Sequence, residues 1–171
     1  GLASFISYAF IYTPLKRYSS FAVFIGAFPG AIPPLLGWVA STGTIDMGGL
    51  TLFALQFIWQ FPHFWAIAWI LDEDYKRAGY NLLPSKEGRN KKSALLTVIY
   101  TLSLIPISIA PYLLGISGIV SLIIIIICGI LLSIQALRLY KSCSIADAKR
   151  LMFYSIIYNP LVLIALFIDK I

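Results

Sequence analysis

Three consecutive acids, Asp72, Glu73 and Asp74, stand at the end of a long apolar run, and six basic residues follow before the next run begins. Carboxylates at the carboxyl end of a helix face the negative pole of the helix dipole, so this cluster needs compensating charge. Pairing along the helix would supply some, because Lys76 lies four residues after Asp72 and Arg77 lies within four residues of the other two acids. Exposed pairs of this kind contribute only about 0.3–0.5 kcal/mol each, which is too little to account for the cluster.

A magnesium-bound diphosphate would use the same residue types. Mg²⁺ is often held by one or two carboxylates together with the phosphate groups of a substrate. We therefore predict a Mg²⁺ site on Asp74, with a second ligand from Asp72 or Glu73 or from elsewhere. Guanidinium and ammonium groups suit phosphate oxygens. The basic residues predicted to bind the diphosphate are Lys16, Arg17, Lys76 and Arg77.

The later basic residues of this segment have a simpler interpretation. Lys and Arg near a membrane surface are attracted to anionic lipid headgroups, which contributes about 1 kcal/mol for each residue. We predict that Arg89, Lys91 and Lys92 serve lipid contact and membrane topology only.

A second set of polar residues lies inside the apolar run that precedes the acids. Gln56, Gln60 and His63 are spaced by four and three, which places them on one face of a helix. Helical steps along this face reach Asp74 about five turns beyond Gln56. A polar stripe is thus predicted to run from the acidic cluster into the membrane.

His63 is the only histidine of the chain, and it has two interpretations. The first is a hydrogen bond to a neighbouring helix, a common use of polar side chains in membrane bundles. The second is a haem-iron ligand or a proton carrier, either of which would use an imidazole nitrogen. The spacing alone does not decide between them.

The composition places these residues in a membrane protein. Hydrophobic residues make up 60% of the 171 and charged residues 12%, the mean hydropathy is +0.89, and a soluble domain carries about 25% charged residues. Continuous apolar runs of about 20 residues predict an all-α transmembrane bundle rather than a barrel. We expect one domain over residues 1–171, taken from the later part of a longer chain, because the start has neither Met nor a basic leader. The predicted spans are 1–12 (the end of a span), 21–40, 50–71, 94–113, 118–139 and 151–168.

The basic residues also predict an orientation. Every Lys and Arg except Lys170 falls in the connections 13–20, 72–93 and 138–150. Since basic loops stay on the inner side of a membrane, these connections are predicted to face the cytoplasm of a bacterium or the matrix of a mitochondrion. The net charge of +6 then reflects topology and gives no indication of nucleic-acid binding.

The span 21–40 contains three prolines, Pro29, Pro33 and Pro34. Proline removes a backbone donor and disturbs a helix, and broken backbone survives in a membrane only where it is buried in protein or lines a cavity. We predict a broken helix that lines a cavity. The alternative is a kinked helix that packs closely through its glycines, Gly26, Gly30 and Gly37.

Four blocks of the sequence resemble a known family. The blocks are YTPLKR (12–17), GAFPGAIPPLLGWVASTG (26–43), WQFPHFWAIAWI (59–70) and DEDYKRAGYNLLP (72–84). Their types and order are similar to those of the protohaem IX farnesyltransferases, or haem O synthases, in the UbiA-type membrane prenyltransferase superfamily. Beyond about residue 95 the resemblance rests on the span pattern alone.

This resemblance implies nine transmembrane helices around a central cavity, with this chain supplying the end of the fourth helix and the fifth to ninth. It also implies two acidic motifs on cytoplasmic loops. The first would precede Gly1, so the 171 residues alone are expected to be inactive. In the second, Asp74 and Tyr75 match the Asp-Tyr of the family. Related prenyltransferases carry another Asp four positions later, where this chain has Ala78, which puts the second metal ligand in doubt.

The implied activity is transfer of a farnesyl group from farnesyl diphosphate to a vinyl group of haem B, giving haem O. Mg²⁺ and basic residues would neutralise the departing diphosphate, and the resemblance assigns catalysis to Asp74, Tyr75 and Arg77. Membrane lipids surround the enzyme, and haem A synthase or oxidase assembly proteins are the implied partners. The residues expected to wall the cavity for haem B and the prenyl chain are Trp59, Gln60, His63 and Phe64.

Three other functions are alternatives. A sister enzyme would prenylate a quinone precursor or chlorophyllide with the same fold and diphosphate chemistry, although FPHF and YTPLKR speak against it. A secondary transporter would also use proline-broken helices and intramembrane polar residues, but it would not need an acidic cluster followed by cations. A structural membrane subunit would not need so many costly polar positions.

Overall fold

The computed structural model describes residues 22–85 and 87–171, so the predicted partial span 1–12 and the predicted ligands Lys16 and Arg17 lie outside the described residues. Within them the chain is helical and forms no strand beyond one isolated bridge. The predicted all-α bundle is therefore confirmed. The helices are α1 (Ala22–Thr42), α2 (Met47–Ile70), α3 (Asp72–Arg77), α4 (Lys91–Leu113), α5 (Ile119–Ser142) and α6 (Ile145–Ile168).

Each full span predicted from the sequence overlaps one long helix, and capping residues set where the helices begin. The Asp46 carboxylate accepts hydrogen bonds from two amides in the first turn of α2. Asn90 and Ser144 cap α4 and α6 in the same way. The apolar runs mark the parts that suit hydrocarbon, whereas the caps satisfy the unpaired amides at the helix ends, so the helices extend past the apolar runs.

Four of the described helices are long and apolar enough to cross a membrane, namely α1 from Val23 onward, α4, α5 and α6. The remaining long helix, α2, has 24 residues, but Gln56, Gln60 and His63 lower its hydropathy. It packs against α1, α4 and α6, whereas α5 packs against α4 and α6. Since other helices surround α2 on several sides, it can carry polar residues that lipid would reject.

The proline-bearing helix differs from the prediction of a broken helix. α1 continues without interruption through Pro29, Pro33 and Pro34. Membrane helices tolerate proline more readily than soluble ones, and α1 is also supported by α2, where the Gln60 amide donates to the Ala27 carbonyl at 3.0 Å.

The glycines of α1 differ in their surroundings. The Gln60 carboxamide occupies the space that a Cβ on Gly30 would need, whereas a Cβ on Gly37 would meet nothing within 4 Å. Gly26 instead lines a cavity. Close packing and cavity lining therefore both occur along α1, at different glycines.

The connections of the described bundle separate by charge. Lys91 Nζ bonds the Tyr140 and Lys141 carbonyls at 2.5 and 2.9 Å, which brings the 72–93 connection to the carboxyl end of α5. At the opposite end Asp169 accepts from the Ser121 amide at 2.7 Å. Both basic connections in the described part of the chain thus share one end of the bundle.

Candidate functional site

The acidic segment forms its own short helix. Leu71 separates α2 from α3, with φ −100° and ψ 17°. The three acids occupy the first turn of α3, and Lys76 and Arg77 occupy its last turn. Charges at both ends therefore complement the dipole of α3, although the same acids lie just beyond the negative pole of α2.

Two of the three predicted ion pairs are present. Lys76 Nζ lies 2.7 Å from the Asp72 carboxylate, and Arg77 lies 3.0 Å from Asp74. The predicted pair between Glu73 and Arg77 is wrong, because Glu73 bonds Arg89 at 3.0 Å instead.

Arg89 makes contacts that sequence reasoning missed. Its guanidinium donates to the Trp69 carbonyl at 2.7 Å and to the Ile70 carbonyl at 3.2 Å, besides binding Glu73. The prediction that Arg89 and Lys91 serve only lipid contact and topology is wrong, since both bond helix carbonyls. No periodicity relates Arg89 to an acid 16 residues earlier. The sequence offered one signal: the last carbonyls of α2 and the acids that follow them are both negative, so a cation was needed beside them.

The three carboxylates do not converge on one point. Asp72 has a side chain only 9% exposed and is held by Lys76, whereas the side chains of Glu73 and Asp74 are 73% and 66% exposed. Among the described residues no group of three or more His, Cys, Asp or Glu is placed to hold a metal. Asp74, whose partner Arg77 is also exposed, best fits a Mg²⁺ site built from one carboxylate and substrate phosphates.

A cavity of about 330 Å³ reaches this end of the bundle. The described residues that line it are Val23, Gly26, Phe64, Ile67, Ala68, Tyr75 and Leu82. It lies between α1 and α2 and extends to α3 at Tyr75, the residue after Asp74. Its described lining is mostly apolar, so it suits a hydrocarbon chain or ring better than a charged group.

The intramembrane polar residues of α2 are shared between two neighbours. Gln60 bonds the Ala27 carbonyl of α1, whereas His63 Nδ1 lies 2.9 Å from Ser155 Oγ of α6. The ring of His63 stacks on Trp59, with centroids 4.8 Å apart. The predicted single polar stripe is therefore divided, and of the four predicted cavity walls only Phe64 is among the described lining residues.

Ser155 determines how His63 bonds. Its hydroxyl donates to the Met152 carbonyl at 2.6 Å, so its oxygen is left to accept from His63 Nδ1. This geometry favours the tautomer in which Nε2 is an acceptor. Trp59 Nε1 also donates to the Ser155 carbonyl at 2.8 Å. A serine in an apolar span gives no sequence signal of this role.

The comparisons with known proteins identify the family. The family model described as the UbiA prenyltransferase family matches residues 1–157. The chain belongs to this family. Membership in the UbiA family confirms the predicted fold class of a multi-pass integral membrane bundle.

Several curated relatives are similar to this UbiA chain, and each is named protoheme IX farnesyltransferase. The relative from Cytophaga hutchinsonii is 56% identical over 171 residues, covering 100% of the chain and 60% of the relative. Those from Flavobacterium psychrophilum and Christiangramia forsetii are 45% and 43% identical, each covering 99% of the chain and 58% of the relative. The chain thus spans about three fifths of these relatives. No solved structure matches it.

Proposed function

We propose that this chain is part of a protohaem IX farnesyltransferase, which transfers the farnesyl group of farnesyl diphosphate to a vinyl group of haem B and gives haem O. The observation that carries the proposal is the apolar cavity that ends at Tyr75, beside the exposed Asp74. A hydrocarbon chain would occupy the cavity while its diphosphate stays at the charged end. The names of the relatives supply the choice of haem as acceptor.

The acidic and basic residues would have different roles at the diphosphate. Asp74 and Arg77 pair only across an exposed 3.0 Å contact, so an arriving ligand can replace it at little cost. Asp74 would then hold Mg²⁺, which supplies positive charge to the departing diphosphate. Arg77, with Lys16 and Arg17, would bind the phosphate oxygens. Lys76 is a weaker candidate because Asp72 already holds it at 2.7 Å.

The reaction would proceed by ionisation and capture. The bond between C1 and oxygen of farnesyl diphosphate breaks, and diphosphate leaves with the electron pair. The vinyl π electrons of haem B form the new bond to the allylic cation, after which water adds to the resulting cation and releases a proton. Phe64 and Ile67 in the cavity wall would keep water from the first cation. The Tyr75 hydroxyl at the cavity end would donate to a phosphate oxygen.

The membrane setting follows from the same arrangement. The basic connections at the α3 end would face the cytoplasm of a bacterium, or the matrix in a mitochondrion, and the protein would lie in the inner membrane. Diphosphate would then enter from the aqueous side that carries the cations. Haem A synthase or oxidase assembly proteins would receive the product.

The acceptor is tested with the full-length protein in membranes of a strain that lacks its own haem O synthase. Farnesyl diphosphate and Mg²⁺ are supplied with haem B or, in a parallel reaction, with a quinone precursor. We expect haem O in the extracted pigments and no prenylated quinone precursor. Prenylation of the quinone precursor alone would replace this function by that of the sister enzyme.

A further inference from the structure

We propose that Arg89 is a positioning residue of this site, which holds α3, and with it Asp74 and Tyr75, at the end of α2 beside the cavity. The proposal rests on the proposed function for the meaning of that position. In the described structure Arg89 neither lines the cavity nor pairs with Asp74, so it would act through other groups.

Arg89 joins two helices with one side chain. Nε and Nη2 donate to the last-turn carbonyls of α2, at Trp69 and Ile70. Nη1 binds the Glu73 carboxylate in the first turn of α3, and Nε lies 3.8 Å from Asp72. The planar guanidinium presents its donors in a fixed fork. Holding all these acceptors at once therefore restricts the angle between α2 and α3.

The joint between these helices needs such a restraint. α3 has only six residues, and a helix that short is not stable without tertiary contacts. Leu71 interrupts the helix between them, and α3 packs against the core through Tyr75. Arg89 is well placed to supply a further contact, because its side chain is only 20% exposed.

Lys91 provides a matched control. It lies in the same connection, carries the same charge and also bonds two helix carbonyls, at Tyr140 and Lys141. Those carbonyls belong to α5, which carries none of the proposed site residues. Replacing Lys91 with Gln therefore removes a cation and a helix-end contact without touching α3.

The first measurement is hydrogen exchange of the full-length protein in detergent micelles, for Arg89→Gln, Arg89→Lys and Lys91→Gln. We expect faster exchange in peptides that cover α3 for Arg89→Gln, an intermediate effect for Arg89→Lys, and the parent rate at α3 for Lys91→Gln. Lysine keeps the charge but reaches fewer acceptors because it has no fork. Unchanged exchange at α3 in Arg89→Gln would overturn the proposal.

The second measurement separates positioning from stability. Prenyl transfer is measured per folded molecule, well below the unfolding temperature, over a range of farnesyl diphosphate and Mg²⁺ concentrations. We expect Arg89→Gln to lower kcat on the order of 100-fold, as a displacement of about 1 Å at a reacting group can do, while Lys91→Gln keeps the parent kcat. A parent kcat in folded Arg89→Gln, with only a lower unfolding temperature, would mean a structural role and would refute positioning.

Glu73 shows whether Arg89 acts through α3. Glu73→Gln removes one end of the 3.0 Å bond. The double variant with Arg89→Gln should lose no more kcat than Arg89→Gln alone, because both substitutions break the same contact. Losses that multiply would assign Glu73 a separate role and contradict this route. If the parent makes no haem O, the proposed function fails, whereas exchange at α3 still decides whether Arg89 holds that helix.

Discussion

α2 and α5 are both 24 residues long, and both end where the 72–93 connection supplies a cation to their last carbonyls. Arg89 donates to the last carbonyls of α2, and Lys91 donates to those of α5. Along their length they differ, because α5 exposes isoleucines such as Ile123 and Ile127, as a lipid-facing helix does. α2 instead places Gln60 and His63 against neighbouring helices.

The cations at the two helix ends also differ in what they contact. Arg89 at the end of α2 also bonds acids and adjoins a helix that reaches a cavity. Lys91 at the end of α5 bonds two carbonyls and lies over the Tyr140 ring, with no acid among its described partners. The hydroxyl of Ser133 in α5 bonds its own helix, at Gly129. Of these two helices, the one whose intramembrane polar side chains bond neighbouring helices is the one that leads to the candidate site.

Among substitutions that test this difference, we expect the largest effect on kcat at Asp74. Asp74 and Asp147 both lie in the first turn of a helix and pair with an arginine three residues later, at 3.0 and 3.1 Å. We expect Asp74→Asn to lower kcat of the full-length enzyme by roughly 100- to 1000-fold, as loss of a charge-stabilising group does.

Asp147→Asn is the control for this loss. It removes a similar ion pair and weakens the hydrogen bonds from Ser142 and Ser144. Losing a negative charge from the first turn of a helix should cost about 0.3–1 kcal/mol but leave kcat unchanged. Haem O formation per folded molecule measures both variants. Equal activities in the two would place Asp74 outside the reaction.

The sequence predicts the ion pairs of the acidic segment unequally well. Short-range pairs such as Asp72 with Lys76 follow from helical spacing, because three or four residues bring side chains together on any helix. The contact of Arg89 with Glu73 depends on how the 78–90 connection folds back, and no local rule determines that path. The presence of the long helices was predictable for a related reason, since a run of about 20 apolar residues has one favourable conformation in a bilayer, whereas their ends depend on the capping residues.

The cavity shows the other limit of sequence reasoning. Helical periodicity places Gln60 and His63 on one broad face, but three neighbouring helices divide the surroundings of α2. Gln60 therefore meets α1 and His63 meets α6, while Phe64 reaches the cavity. Which neighbour each side chain meets is a property of packing between helices, which spacing within one helix does not contain.

A smaller effect is expected where α1 meets α2. Gly30→Ala puts a methyl group in the space of the Gln60 carboxamide, so the amide must move and lose its bond to the Ala27 carbonyl. Overpacking of this kind typically costs about 1–3 kcal/mol. The measurement is thermal unfolding of the full-length protein in micelles.

Gly37→Ala tests the specificity of that effect. A Cβ there meets nothing within 4 Å, so the change should be neutral or stabilise the helix by up to about 1 kcal/mol. Combining Gly30→Ala with Gln60→Ala should recover part of the loss, because the clashing group is gone. A double variant with the full sum of both losses would argue against the close contact between Gly30 and Gln60.

The smallest expected effect is on the unfolding temperature, when a hydroxyl that contacts α2 is removed and compared with one in α5. Ser155→Ala removes the acceptor for His63 Nδ1 and so breaks a bond between α2 and α6, whereas Ser133→Ala removes only a bond within α5. Hydrogen bonds between membrane helices contribute about 0.6 kcal/mol on average and up to about 1.7. A hydroxyl bonded back to its own helix contributes little or slightly destabilises the helix.

The unfolding temperature should therefore fall for Ser155→Ala and stay near the parent value for Ser133→Ala. Equal temperatures would mean that His63 does not join the two helices, and its ring would then be held mainly by stacking on Trp59.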